Sequence, residues 1–331
     1  MNEVNERLLV VRIGALGDVA DTTVAVSHIK NERPHLKIDW VVKNSFAPIV
    51  TDFCDRVIPI SSLNKGLPFL RELRQHKYVA AVDFHGNFRS ALIAYLSRSA
   101  TRYGFSSSNS REGASFFYTH RLSVPSTIQS RIQDGLDLAS LFLNKKLDYT
   151  PLEFVENHED AQFAEDLLRN GHDIVLATSS SPKGFHKMWP QERWRSFIEK
   201  SPKTWKFTLI WGPGEEGAVK AVAQGYSDRV QVTAPTKLKQ LESIIKRSRL
   251  VIGGDTGPMH MAHLLDIPTI VLFGPKDPRR YGPQFNQFRV IYEKQICSPC
   301  RNWRCDHISC MWAINTDSVV QAAQELLEGV S

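Results

Sequence analysis

The chain has 331 residues, 42% hydrophobic and 23% charged, with 41 Lys and Arg against 35 Asp and Glu for a formal net charge of +6. That length suits two domains of ordinary size, and the balance excludes extended disorder, collagen and coiled coil. No apolar run approaches the roughly 18–20 residues that a membrane helix needs. Glu3 and Glu6 stand near the N-terminus and Arg12 interrupts the run that begins at Leu8, so a secretory signal is not expected and a cytoplasmic location is. The charge is unevenly placed. Between Arg56 and Arg131 eleven Lys/Arg meet three acidic residues, a local +8, while the remainder carries −2. Such a patch attracts polyanions; its plain alternative is a solvated charged face.

Short apolar runs alternate with amphipathic stretches, the pattern of βαβ units around a parallel sheet. Leu8–Ile13 reads as a buried strand, followed by a turn at Gly14–Gly17 and a helix from about Val19 to Asn31 that Pro34 ends. Strands follow at Ile38–Val42 and Val57–Ile60, then a basic helix near Phe69–His76 and a strand at Val79–Asp83. Residues 103–126, rich in Ser, Gly and aromatics, read as a long surface loop. A second set begins with strand Asp173–Thr178, helix Gln191–Lys200 and strand Lys206–Trp211. Helix Glu216–Gly225, strand Val230–Val232, helix Lys239–Ser248 and strand Leu250–Ile252 continue it. A helix over about Met259–Leu265, a strand at Thr269–Phe273 and a closing helix at Ser318–Leu327 complete the pattern. Two βα sets joined near residues 145–172 predict two nucleotide-binding-type domains facing a cleft, with ligands at the carboxyl ends of the strands.

Three segments at those strand ends carry chemistry. Arg12-Ile-Gly-Ala-Leu-Gly-Asp18 turns from strand to helix without the G-x-G-x-x-G spacing. Asp18 is therefore either an N-cap or a carboxylate at the cleft mouth, able to take a proton from a hydroxyl. Thr178-Ser-Ser-Ser181, with Lys183 and Lys187 after it, offers several donors and a point charge, as a phosphate site requires. A polar loop is the plainer reading. Gly253-Gly-Asp-Thr-Gly-Pro-Met-His260 places a strand against a helix start whose N–H groups can hold a pyrophosphate. There, Asp255 as a simple N-cap and His260 as a packed helix residue are the alternatives.

Cys297, Cys300, Cys305 and Cys310 form a fourth cluster, with His307 as a competing ligand. Four thiolates can close a structural zinc site. Spacing leaves reduced thiols and local disulfides open as well.

Gly14-Ala-Leu-Gly-Asp-Val19, Lys187-Met-Trp-Pro190 and the run from Gly253 to Pro278 together resemble the family-9 glycosyltransferases, the bacterial lipopolysaccharide heptosyltransferases. The Cys297-Ser-Pro-Cys300 segment with two further cysteines resembles the heptosyltransferase II branch more than the I branch. The resemblance implies an α/β GT-B fold of two Rossmann-like domains facing a central cleft. An acceptor-binding domain is expected at 1–165, a nucleotide-sugar-binding domain at 166–315, and a closing helix at 316–331 that packs toward the first.

By motif match, Asp18 takes the family's general-base position. Thr178, Ser179, Ser180 and Lys187 match phosphate contacts, with Lys183 an alternative to Lys187 because the intervening loop is longer than in the heptosyltransferase I pattern. Asp255, Thr256, Gly257 and His260 match the donor-binding turn, and Trp211 and Glu215 fall near the nucleoside. The acceptor is assigned to Gly14, Gly17, Arg71, Arg74 and Arg102. The implied partners are a nucleotide sugar, ADP-heptose, and an anionic lipopolysaccharide core acceptor at the inner membrane surface, with no nucleic acid. The implied reaction is an inverting single displacement with no cofactor required for catalysis. A sugar-nucleotide epimerase on the same fold, or a family-9 transferase using another nucleotide sugar, are the competing expectations.

Overall fold

A computed structural model describes residues 6–60, 66–125, 129–282, 287–300, 302 and 304–329; Glu3, Lys65 and the side chains of Pro182 and Lys183 lie outside this description. The chain divides into two compact units between Leu152 and Glu153.

The first unit opens with β1 (Arg7–Val11), α1 (Leu16–Glu32), β2 (Lys37–Lys43), α2 (Ala47–Val50) and β3 (Arg56–Ile60). It continues with α3 (Gly66–Leu73), β4 (Ala80–Asp83), α4 (Phe88–Leu96), β5 (Arg102–Phe105), β6 (His120–Leu122) and α5 (Arg131–Leu143). Its six strands run parallel in the order β3-β2-β1-β4-β5-β6. Leu8, Leu9, Val10 and Val11 are fully buried, as a central parallel strand covered on both faces requires. The stretch read as a long loop is instead ordered around two short strands and a 3-10 turn at Ala114–Phe117. Tyr118 explains this: it lies over Gly104, where any Cβ would strike its ring, and its hydroxyl donates to buried Asp83 at 2.6 Å.

The second unit begins with α6 (His158–Leu168), β7 (Ile174–Ala177), α7 (Gln191–Lys200), β8 (Phe207–Leu209), α8 (Glu216–Ala223) and β9 (Val230–Val232). Then come α9 (Leu238–Lys246), β10 (Leu250–Gly254), α10 (Gly257–Leu264), β11 (Thr269–Phe273), α11 (Pro278–Tyr281), β12 (Phe288–Tyr292), α12 (Ser309–Trp312) and α13 (Thr316–Glu328). Its strands are also parallel, in the order β12-β11-β10-β7-β8-β9. Numbered within the unit this is the same order as the first sheet, the doubly wound arrangement. Helix α6 packs along α9 and so belongs with this unit. Helix α13, expected to pack toward the first domain, buries its stripe of Val319, Ala323, Leu326 and Leu327 in the second unit's own core. Among the described residues no helix is long and apolar enough to cross a membrane.

Candidate functional site

In a doubly wound sheet a crevice opens where two neighbouring strands send their connections in opposite directions. In the first unit that point lies between β1 and β4. Arg12, the residue after β1, is 5% exposed. One of its nitrogens donates to the Phe84 carbonyl beyond β4 at 2.5 Å, and another reaches Asp18 Oδ1 at 2.7 Å. Arg131, at the start of α5, stands 3.7 Å from the same oxygen. Helix α1 is capped by the Ala15 backbone, so Asp18 occupies the first turn and is not the N-cap. Its carboxylate is presented by the positive end of a helix and two guanidiniums. Around it Arg12, Asp18, Thr22, Phe84, Phe105 and Arg131 line a cleft of about 310 Å³, counted with its open mouth.

Behind this cleft Asp83 ends β4 fully buried. Burial drives its pKa up, against the hydrogen bonds from Tyr118, Ser90 and the His85 and Gly86 amides that favour the carboxylate. These bonds hold the Phe84–Asn87 turn in shape. His85 is brought down to about 4 by burial and by the nearby Arg12 charge, so it is neutral around pH 7.

In the second unit the corresponding point lies between β7 and β10. The segment after β7 is anchored by Trp189, 1% exposed, whose indole N–H donates to the Ile314 carbonyl at 3.3 Å. Two residues earlier, Lys187 Nζ donates to Asp255 Oδ2 at 2.6 Å and to the Asp255 carbonyl at 3.1 Å. His260 Nε2 stands 3.3 Å from Asp255 Oδ1. Burial alone would raise the Asp255 pKa; the His260 hydrogen bond and the Lys187 charge outweigh it and hold the carboxyl at about 2. Gly254 permits the approach, because a Cβ there would meet the Lys187 carbonyl oxygen at 2.5 Å. The N-cap of α10 is Thr256, whose side chain makes no cap bond. Its Oγ1, like that of Thr178 at the end of β7, is buried without a hydrogen-bond partner among the described residues. Buried polar atoms in that state fit a site that a polar ligand completes. At the next strand end Glu215 accepts from Ser179 Oγ at 2.7 Å and from the Gly212 amide at 3.2 Å, and Trp211 is fixed through Nε1 to the Thr233 carbonyl at 2.7 Å.

The profile of Glycosyltransferase family 9 (heptosyltransferase) matches residues 67–309. This chain belongs to that family. The family-9 glycosyltransferase is 26% identical to "Lipopolysaccharide heptosyltransferase 1" of Salmonella typhimurium over 89% of its length and 95% of the relative's. It is 23% identical to "Lipooligosaccharide heptosyltransferase 2" of Campylobacter jejuni, covering 94% and 96%. Relatives named for both heptosyltransferase branches thus match over most of the chain. Among solved structures, the Veillonella parvula family-9 glycosyltransferase superposes with a TM-score of 0.83 at 20% identity, covering 99% of both chains. "E. coli heptosyltransferase WaaC with ADP-2-deoxy-2-fluoro heptose" does so with 0.75 at 24% identity, covering 96% and 99%.

The other expected residues of the glycosyltransferase make contacts of their own within each unit. Arg74 Nε donates to the Leu96 carbonyl at 2.8 Å, tying α3 to α4. Arg102 donates to the Phe117 and Ser99 carbonyls, both at 2.6 Å. Each guanidinium therefore clamps backbone, whereas Arg71 is exposed. Gly14 faces the Phe46 ring, and Gly17 is buried in the first turn of α1. Ser179 spends its proton on Glu215, and Ser180 donates to the Ser181 carbonyl at 3.3 Å.

Nor do the cysteines assemble the zinc site held open above. Among the described residues no three of Cys297, Cys300, Cys305, Cys310 and His307 gather their ligand atoms within 4.8 Å. Cys310 is drawn into the core beside Gly274 while Cys297 is exposed, and the sulfurs are free. Sequence reasoning missed Arg12 and Arg131 as partners of Asp18. Arg12 did carry a signal, as a charged residue directly after the apolar run Leu8–Val11.

Proposed function

We propose that this glycosyltransferase moves a heptose from ADP-heptose to the inner core of a lipopolysaccharide precursor, with inversion at the anomeric carbon. The observation that carries the reading is the Asp18 carboxylate, held by Arg12 and Arg131 at the mouth of the β1–β4 cleft. The substrates are argued from the relatives' names and the WaaC complex with an ADP-heptose analogue. Asp18 takes the acceptor hydroxyl proton as that oxygen attacks the anomeric carbon and the sugar–phosphate bond breaks. The departing diphosphate is met by Lys187, by the amides at the start of α10 and by the buried Thr178 and Thr256 hydroxyls. Asp255 accepts two of the three Lys187 protons, leaving one to reach the ligand. Glu215 and Trp211 take the nucleoside side. The enzyme works in the cytoplasm at the membrane face where its acceptor is presented, and chelators leave its turnover unchanged.

Purified protein is incubated with ADP-heptose, with and without a soluble core acceptor, and the product linkage is read by NMR. Transfer with inversion supports the reading, whereas conversion of donor without acceptor supports the epimerase. Asp18→Asn lowers kcat by about 10²-fold or more with ADP affinity unchanged by calorimetry. Near-normal turnover removes Asp18 as the base.

A further inference from the structure

We propose that the outer side of α4, together with the Ala114–Phe117 turn, docks this protein on an anionic lipid bilayer. Helix α4 reads Phe88-Arg-Ser-Ala-Leu-Ile-Ala-Tyr-Leu96 and is apolar almost all round. Its inner side, Ala91, Ile93 and Ala94, is buried in the first unit. Phe88 and Tyr95, seven residues apart and so on one face, are 46% and 53% exposed on the other side. A helix apolar on both sides belongs inside a core or against lipid.

These are not scattered surface residues. The Phe117 ring joins Phe88 at 5.6 Å and Tyr95 at 5.7 Å between centroids, and Phe116 beside it is 84% exposed. Contiguous exposed aromatics of this kind mark an interaction surface.

The surrounding charge selects the partner. From residue 66 to 125 there are eight Lys/Arg and three acidic residues, and Asp83 among the latter is fully buried. Arg98 at the end of α4 and Arg121 on the edge strand β6 are exposed, and the Arg102 guanidinium lies over the Tyr95 ring at 5.6 Å. Aromatic rings that insert at headgroup depth, with the exposed Arg98 and Arg121 on the same unit to meet lipid phosphates, fit an anionic bilayer. The inference deepens the proposed function by placing a lipid-linked acceptor at this surface.

The full chain is sedimented with vesicles of phosphatidylethanolamine and phosphatidylglycerol, and separately with phosphatidylcholine alone. The expected result is salt-sensitive binding to the anionic vesicles. Phe116→Ser with Phe88→Ser weakens it by roughly tenfold or more. Amide hydrogen exchange on the unmodified protein, which needs no variant to fold, gains protection on vesicles at residues 88–117. Phe116→Ser alone leaves transfer to a soluble acceptor unchanged, so loss of docking and failure of the transferase reading are told apart. No vesicle binding, protection confined to other segments, or self-association that Phe116→Ser abolishes would each overturn the proposal.

Discussion

Lys187 and Asp255 are paired before any substrate arrives, with His260 on the other carboxylate oxygen, and this changes what a substitution there reports. Lys187→Ala leaves a carboxylate that is 5% exposed without its counter-charge. Breaking such a pair costs several kcal/mol when both partners are buried; with Lys187 itself 23% exposed, a loss of about 2 kcal/mol is expected by urea unfolding. Adding Asp255→Asn recovers most of that stability but not ADP affinity. An unaltered unfolding midpoint for Lys187→Ala shows that the pair carries no stability.

Acid makes a separate test of single residues. Asp255 is held below its ordinary value of 3.8, at about 2, so its contribution is present above pH 4 and is lost as pH falls through 2. His85, lowered from 6.5 to about 4, favours its neutral form. Its contribution is complete above pH 6.5 and disappears as pH falls through 4. Asp83 has the opposite sign: its raised pKa makes the folded state lose stability as pH rises above 3.8 toward the higher native value. On acidification two stages are therefore expected, a His85 loss between pH 6.5 and 4 that the Asp83 gain opposes, and an Asp255 loss below pH 4. His85→Gln flattens the upper stage and Asp255→Asn the lower, as followed by unfolding midpoints across the range.

At the level of elements, glycine placement decides whether the β7 and β10 ends can meet. Gly254→Ala puts a methyl 2.5 Å from the Lys187 carbonyl oxygen, a backbone atom that cannot swing aside. A loss of about 1–3 kcal/mol is expected for such overpacking, with weaker ADP binding because Lys187 moves with its backbone. Unchanged affinity would show that the contact does not position the lysine.

The same scale shows what could be read beforehand. Buried parallel strands announce themselves as short apolar runs, so Thr269–Phe273 was legible to the residue; the half-buried edge strand Val230–Val232 was legible from its Val-Gln-Val alternation. Helix α4 was not, because without a polar face it has no helical period. Strands β5 and β6 were hidden among Ser and Gly, held by a tyrosine whose partner, Asp83, is 35 residues away. The motif residues Asp18, Lys187 and Asp255 were legible because they lie in the connections that follow β1, β7 and β10, in short segments rich in glycine, hydroxyls and lysine. Arg12 meets Phe84 across 72 residues, a contact that exists only once β1 lies beside β4. The clamping roles of Arg74 and Arg102 likewise depend on backbone carbonyls that carry no signature in residue type.

At the scale of the whole molecule, a ligand that binds only folded protein raises its melting temperature by mass action. ADP-heptose should therefore stabilise the enzyme more than UDP- or GDP-sugars in a thermal-shift panel. Equal shifts across the panel remove adenosine as the preferred nucleoside.

The chain builds one sheet order twice, and in each copy a cation bonds across the switch point: Arg12 to the Phe84 carbonyl, Lys187 to Asp255. Each crevice is thus shaped by contacts within its own half. The consequence is modular inheritance. On the proposed function, donor preference can drift through changes in Glu153–Ser331 while the β1–β4 crevice keeps its form, and a chimera carrying that half from a relative with another nucleotide sugar should bring the new donor choice with it.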